Sequence, residues 1–222
     1  MKLNFIERLY VNSPIRYGLQ ILVFQWFKNT LRLKPAGRIL EIGCGRGIGA
    51  RMVLKNFTPQ QLCLMDLDQT MIAKAQSTVS ANGNTQISFC VGDAEHLPFA
   101  DSYFDAVFGF GFLHHVPDWR KGLFEVARVL KPEGKYYLEE FYPGLYQNLV
   151  TRHLLVHPDR DRFNSSQLRE AFDETDLALV HTFELKRLGI LAVGVKTEGR
   201  PFSCKEFSDS CHLPGQSPDH VQ

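Results

Sequence analysis

The chain has 222 residues, 44% of them hydrophobic and 22% charged, and its 25 Lys and Arg against 24 Asp and Glu leave a formal charge of +1. That apolar fraction excludes a disordered chain, and near-neutrality supplies no phosphate-neutralising surplus for a general nucleic-acid clamp. A single domain is expected, because one core keeps growing to roughly 250 residues before chains split.

In chain order, residues 1–34 read as a helical cap. Ser13 is placed as an N-cap with Pro14 in the first helical position, ahead of an apolar face carrying Ile21, Leu22, Phe24 and Trp26. Met1 to Arg8 is broken by charge at once, so no signal peptide is expected, and the apolar run Ile21 to Phe27 is far shorter than the about 20 residues a bilayer span needs. The five cysteines, Cys44, Cys63, Cys90, Cys204 and Cys211, are odd in number, and three sit in apolar or glycine-rich runs. They point to free thiols in a reducing, cytoplasmic compartment.

From about Arg38 to Lys196, short apolar runs alternate with amphipathic helical segments, as in a parallel sheet with crossover helices. Strands are expected at Arg38 to Ile42, Gln61 to Leu67, Gln86 to Val91, Phe104 to Phe110 and Lys135 to Phe141. Helices are expected from Ile48 to Asn56, from a Thr70 cap until Asn82-Gly83, from an Asp118 cap until Lys131-Pro132-Glu133-Gly134, and from a cap near Asn164 or Ser165. Two last strands, near Leu177 to Leu185 and Ile190 to Lys196, are joined by a tight turn containing Gly189, so they must be antiparallel to one another. The parsing gives a cap at 1–34, a core domain at 35–197 with an inserted lid at 142–163, and a mobile Gly, Pro, Ser and His tail at 198–222.

The first strand runs into Glu41-Ile42-Gly43-Cys44-Gly45-Arg46-Gly47-Ile48-Gly49, glycines at alternate positions between a strand and a helix. Such a turn brings backbone N–H groups and a helix N-terminus against a ligand, where a Cβ would block the approach. Asp66, closing the second strand, is placed to accept from ribose hydroxyls at the point where the strand order reverses. The loop by itself fits a nicotinamide or flavin dinucleotide as well as another adenosine-containing cofactor, since Gly45, Gly47 and Ala50 also satisfy G-x-G-x-x-A.

Further motifs follow in fixed order: Gly92-Asp93-Ala94-Glu95-His96-Leu97-Pro98-Phe99, Phe104-Asp105-Ala106-Val107, Leu113-His114-His115-Val116-Pro117-Asp118 and Leu130-Lys131-Pro132-Glu133-Gly134. With the E-x-G-x-G-x-G loop, this succession resembles the class I S-adenosylmethionine-dependent methyltransferases, and most closely the small-molecule type that includes the ubiquinone and menaquinone biosynthesis enzymes. The resemblance covers residues 37 to 141 in detail and extends loosely to 197. It implies an α/β, Rossmann-like doubly wound sheet of seven strands, mostly parallel with one antiparallel strand near the C-terminus, and helices on both faces. It also implies a cofactor layout. Gly43, Cys44, Gly45 and Gly47 would approach the methionine part, Asp66 would hold the ribose, Leu67 would pack on adenine, Asp93 with the Ala94 backbone would read the adenine edge, and Phe110 would lie near the sulfonium. Glu41 would orient the glycine loop.

Methyl transfer from a sulfonium is an in-line displacement, so the protein chiefly positions the nucleophile, and a base helps only where that nucleophile loses a proton. His114 and His115, after the fourth strand, are the candidates for a base; they equally suit a structural loop. Glu139 and Glu140 close the fifth strand, and alternation lets only one of them face the crevice. Tyr17, Glu139, Tyr142 and Tyr146 are the candidate acceptor contacts, with Tyr10 and the arginines Arg152, Arg160 and Arg162 nearby in the cap and lid. No dedicated metal is expected; His153, His157, Asp159 and Asp161 read better as a solvated polar face. The expected partner is a small-molecule methyl acceptor, with no DNA and no membrane span. A base-amino nucleic-acid enzyme would carry Asn/Asp-Pro-Pro-aromatic after the fourth strand, where Phe108-Gly109-Phe110-Gly111-Phe112 stands. An RNA or protein methyltransferase, a nucleotide-linked oxidoreductase and a non-catalytic cofactor-binding partner protein are the competing readings.

Overall fold

A computed structural model of the chain describes residues 13–30, 37–80, 83–146 and 162–197. Seven strands, β1 (Arg38–Ile42), β2 (Gln61–Asp66), β3 (Gln86–Val91), β4 (Phe104–Phe110), β5 (Leu130–Phe141), β6 (Leu177–Leu185) and β7 (Gly189–Lys196), form one sheet in the order β3-β2-β1-β4-β5-β7-β6. Only β7 runs against the rest, antiparallel to both β5 and β6, because the short β6–β7 turn leaves no room for a crossover.

Alternation along the central strands feeds two cores. Ile39, Leu62, Leu64, Ala106, Phe108, Tyr137 and Val193 meet α1 (Pro14–Thr30), α2 (Ile48–Phe57) and α3 (Gln69–Thr78) on one face. Leu40, Ile42, Cys63, Val107, Tyr136 and Leu138 meet α4 (Trp119–Val129) and α6 (Ser165–Glu174) on the other, while the short α5 (Pro143–Tyr146) follows β5. Both faces being covered explains why β1, β2 and β4 read as nearly continuous apolar runs.

Helix α1 departs from its expected face. Arg16, Gln20, Val23, Phe24 and Phe27 are buried at helical spacing, whereas Ile21 and Leu22 are exposed. The rotation is set by aromatic packing: Phe24 and Phe27 enter a cluster with Phe57, Phe108, Phe110 and Tyr137, with Phe108 and Tyr137 stacked at 4.5 Å. Ser13 caps as expected, its Oγ accepting from the Arg16 N–H at 3.2 Å.

Other boundaries move for local reasons. Asp68, not Thr70, caps α3: its carboxylate accepts from the Thr70 N–H at 2.9 Å and from the Thr70 hydroxyl at 2.8 Å. The helix closes at Thr78, ahead of Asn82-Gly83, because Val79 turns extended and buries its side chain. Asp118 caps α4, and Asn164 caps α6 in a reciprocal capping box with Gln167. The Lys131 to Gly134 stretch ends α4 but lies inside β5, since Leu130 already pairs with Phe104 across a register irregularity. Tyr10, the tail at 198–222, and the lid positions Arg152, His153, His157, Asp159, Arg160 and Asp161 lie outside the described residues.

Candidate active site

The sheet order runs outward from β1 to β2 and β3 on one side and from β4 to β5 on the other, so a crevice opens beyond the carboxyl ends of β1 and β4. The glycine loop turns there. Gly43, Gly45 and Gly47 have φ of 67°, 53° and 81°, a left-handed sequence that L side chains resist. A Cβ on Gly43 would stand 2.7 Å from Phe112 Cβ, and one on Gly47 would stand 2.2 Å from Val79 Cγ2. Those two glycines are required by the fold itself. Gly45 differs: a Cβ there meets nothing within 4 Å, so open space adjoins the middle of the loop.

Asp66 joins β2 to that loop. Its carboxylate accepts from the Gly45 N–H and from the Asp68 N–H, each at 2.9 Å. Burial pushes its pKa up, and those two donors pull against the rise. The Cys44 N–H donates to the Met65 carbonyl at 3.0 Å, tying the loop to β2 a second time, while burial, then Glu41 and Asp66, push the Cys44 thiol up. Glu41 is buried on the α1 face of β1, near the start of α2: the Cβ of a side chain at Gly49 would fall 2.3 Å from Glu41 Oε1. Its Oε2 has no hydrogen-bond partner among the described residues, and burial followed by the Asp66 charge drives its carboxyl well above the usual range. Leu67 is exposed beside Asp66. Asp93 and Ala94 follow β3, where the Gly92 N–H donates to the Asp66 carbonyl at 3.1 Å and Asp93 Oδ1 accepts from the Glu95 N–H at 3.0 Å. Phe110, expected near the reacting centre, has its ring 5.1 Å from Phe24 and packs beneath α1.

The other half of the crevice lies past β4 and β5, where the two adjacent glutamates part company. Glu139 faces α1 and receives both guanidinium arms of buried Arg16, at 2.7 and 2.6 Å. Glu140 faces the opposite way. Its Oε1 accepts from the Phe112 N–H at 3.0 Å and the Leu113 N–H at 2.7 Å, and its Oε2 lies 2.6 Å from His114 Nδ1. Burial raises Glu140 to about 8, and burial with the nearby Arg162 charge lowers His114 to about 3. The His115 ring stands 4.1 Å from that of His114.

Of the remaining acceptor candidates, Tyr17 is exposed on α1 beside Arg16. Tyr142 is buried, and its hydroxyl donates to Glu184 Oε1 at 3.0 Å. Tyr146 closes α5, with its side chain outside the described residues. The structure therefore brings Glu41, Gly43, Cys44, Gly45, Gly47 and Asp66 together around one turn with Leu67 next to Asp66, leaves Asp93 and Ala94 after β3, where Gly92 is tied to Asp66 and the Ala94 carbonyl lies by Gly122 of α4, and sets Tyr142 against Glu184 of β6. Arg16 was missed from sequence; its one signal was a cation four and eight residues before Gln20 and Phe24, on the stripe that is buried. Among the described residues no group of three or more His, Cys, Asp or Glu is arranged to hold a metal ion.

Residues 40–138, which hold this turn and β5 up to Leu138, just short of Glu139 and Glu140, match the family described as the methyltransferase domain. The chain is 37% identical over 106 residues to the fatty-acid O-methyltransferase of Mycolicibacterium smegmatis, covering 48% of this chain and 38% of that protein. It is 36% identical over 130 residues to the demethylmenaquinone methyltransferase of Corynebacterium glutamicum, covering 59% of this chain and 53% of the relative. The chain thus spans about half or less of the length of these curated relatives. A solved S-adenosylmethionine dependent methyltransferase from Mesorhizobium loti superposes with a TM-score of 0.64 at 18% identity, over 77% of this chain and 96% of that one. The chain's seven-stranded sheet, with its single reversed strand β7, therefore shares the fold of that solved methyltransferase.

Proposed function

We propose that the protein is an S-adenosylmethionine-dependent methyltransferase that moves a methyl group to an oxygen, nitrogen or carbon nucleophile of a small-molecule acceptor. The observation that carries this reading is the Asp66–Gly45 corner. A carboxylate at the switch point and open space over the middle glycine stand within the matched methyltransferase domain. The residues present fit the cofactor: Asp66 accepts from ribose hydroxyls, Leu67 offers an exposed apolar surface to a flat base, and Asp93 with the Ala94 N–H offers an acceptor beside a donor. When bound, the cofactor supplies a methyl group already activated by a positively charged sulfur.

The chain's own part is then to orient the acceptor and to take a proton where one must leave. His114, held through Nδ1 by Glu140, is the candidate base, and Glu140 is its positioning residue. The names of the fatty-acid and demethylmenaquinone relatives support an acceptor that is small and apolar. The free thiols Cys44, Cys63 and Cys90 support a reducing compartment, the cytoplasm. A nucleotide-linked oxidoreductase keeps only the glycine loop in its favour.

Titration calorimetry with S-adenosylmethionine, S-adenosylhomocysteine and NAD tests the reading. Binding of the first two is expected, and binding of NAD alone would falsify it.

A further inference from the structure

Pairing places the β6–β7 turn at the crevice end of the sheet. Phe141 is opposite Gly189, Gly189 is opposite Leu185, and the Tyr142 N–H donates to the Leu188 carbonyl at 2.9 Å. The turn, Leu185-Lys186-Arg187-Leu188, exposes two cations between two leucines that are 54% and 43% exposed. The same face continues inward. Glu139 pairs with Leu191 and Leu191 with Phe183, so Phe183 shares the face on which Arg16 of α1 meets Glu139, and it is 51% exposed. Leu22, on α1 itself, is 61% exposed.

The sign of this surface is as distinctive as its apolarity. Helix α1 and strand β7 contain no acidic residue. Glu139 is closed by Arg16, and Glu184, the acid of β6, turns to the opposite face, where it accepts from the Tyr142 hydroxyl and from Arg169 at 2.8 Å. A patch of exposed Phe and Leu bordered by Lys and Arg, with no carboxylate of α1, β6, β7 or the crevice end of β5 facing out among the described residues, is complementary to anionic headgroups over hydrocarbon.

We propose that the β6–β7 turn, Phe183 and the outer side of α1 form a docking surface for an anionic lipid bilayer, which sets the crevice mouth against the membrane. The inference deepens the functional reading and rests on it for its purpose, since an apolar acceptor is delivered from a bilayer. No helix among the described residues is long and apolar enough to cross a membrane, so docking is peripheral.

Sedimentation of the full chain with vesicles tests it, using phosphatidylcholine alone against phosphatidylcholine with a minor share of phosphatidylglycerol at low salt. Binding to the anionic vesicles only, weakened by added salt, is expected. A cation near such a surface is worth about fivefold in partitioning, so Lys186→Gln with Arg187→Asn is expected to lower the partition coefficient by about 30-fold. Leu185→Thr with Phe183→Thr, which keeps strand-forming residues in place, is expected to lose binding as well. Equal binding to both vesicle types, no binding to either, or undiminished binding by the charge-removed variant overturns the proposal. So does a stable dimer in light scattering that Leu185→Thr dissociates, because the face would then serve a second copy. S-adenosylmethionine affinity, measured separately on each variant, reports on the methyltransferase reading, so the two ideas fail by different measurements.

Discussion

Glu140 and His114 face a constraint that neither meets alone. Burial pushes the glutamic acid up to about 8 and the imidazole down to about 3, so both favour their uncharged forms across the intervening range. Facing them among the described residues are the N–H groups of Phe112, Leu113, His114 and Phe141 on Glu140, the Arg162 charge and the His115 ring on the His114 side, and the Tyr136 hydroxyl on the Glu140 side. With Glu140 ionised, the Nδ1 proton of His114 points at Oε2 and Nε2 carries a lone pair. Uptake of a proton at Nε2 while the Nδ1 proton passes to Glu140 leaves two neutral groups, so the pair takes a proton without stranding a charge. The ionised form exists above Glu140's pKa, and turnover is therefore expected to rise as pH climbs through about 8. Glu140→Gln should erase that ionisation and lower kcat by about 100-fold, the low end for general base catalysis, with KM for the cofactor little changed. A pH profile identical in the variant would leave Glu140 as a loop support and nothing more. Asp66 is the second residue where one change is decisive. Asp66→Ala should weaken S-adenosylmethionine binding by about ten- to a hundredfold, the worth of hydrogen bonds to a charged acceptor; an unchanged dissociation constant in a folded variant would refute the ribose role.

At the scale of elements, α1 is held by two different means: Phe24 and Phe27 bury apolar rings, and Arg16 neutralises Glu139 at the crevice end. Breaking a buried ion pair from one side costs about 3–5 kcal/mol, because the remaining charge is left without compensation. Arg16→Met should therefore release the first turns of α1, seen as fast amide exchange there while β1 and β4 stay protected. Arg16→Met combined with Glu139→Met should restore most of the protection; if the double variant exchanges as fast as the single one, the ion pair is not what holds the helix. This element also shows where reading the sequence stops. The strands were legible because a sheet covered on both faces writes unbroken runs such as Leu62 to Met65, and the Asp118 and Asn164 caps were legible because capping is local. The opposed directions of β6 and β7 were legible because a short turn permits one geometry, while which of the two runs against the sheet is set by the pairing of β7 with β5. The rotation of α1 was not, since Ile21, Leu22, Val23 and Phe24 are all apolar and only the distant rings of Phe57, Phe108 and Tyr137 choose among them. In the site, the glycines and Asp66 stood out through local spacing. The division of labour between Glu139 and Glu140 was legible only as alternation, because their partners, Arg16 and the turn after β4, are distant in sequence. Likewise Tyr142 looked like a lid residue until Glu184, 42 positions on, was placed beside it.

For the molecule as a whole, these buried acids tilt stability toward acidic pH. A carboxyl whose pKa is raised by folding holds a proton that the unfolded chain has lost, so its contribution is complete below the unfolded value of 4.5 and is lost as pH rises through the folded value. Glu140 behaves this way up to about 8, and Glu41, raised by burial, adds the same sign. His114 works in the opposite sense: lowered to about 3, its contribution is complete above the unfolded 6.5 and is lost as pH falls through the folded value. Between 4.5 and 6.5 one acid is cancelled by the histidine and the other is not, so stability already declines gently as pH rises. Above 6.5 the histidine no longer offsets anything, and the decline should steepen until Glu140 ionises near 8, by about 1.4 kcal/mol per pH unit for each proton of difference. Below 4.5 the histidine and the lowered acids Asp105, Glu125 and Glu184 outweigh the raised Asp66, and stability should fall as pH falls. Urea unfolding of the cofactor-free chain is therefore expected to show greatest stability near pH 4.5 and a loss toward higher pH that steepens between 6.5 and 8. Glu140→Gln should flatten that upper limb by one proton's worth of slope, and Glu41→Gln should weaken the decline in the same direction. A flat stability curve across this range in the native chain, or an upper limb unchanged in both variants, would show that neither acid is held protonated by the fold.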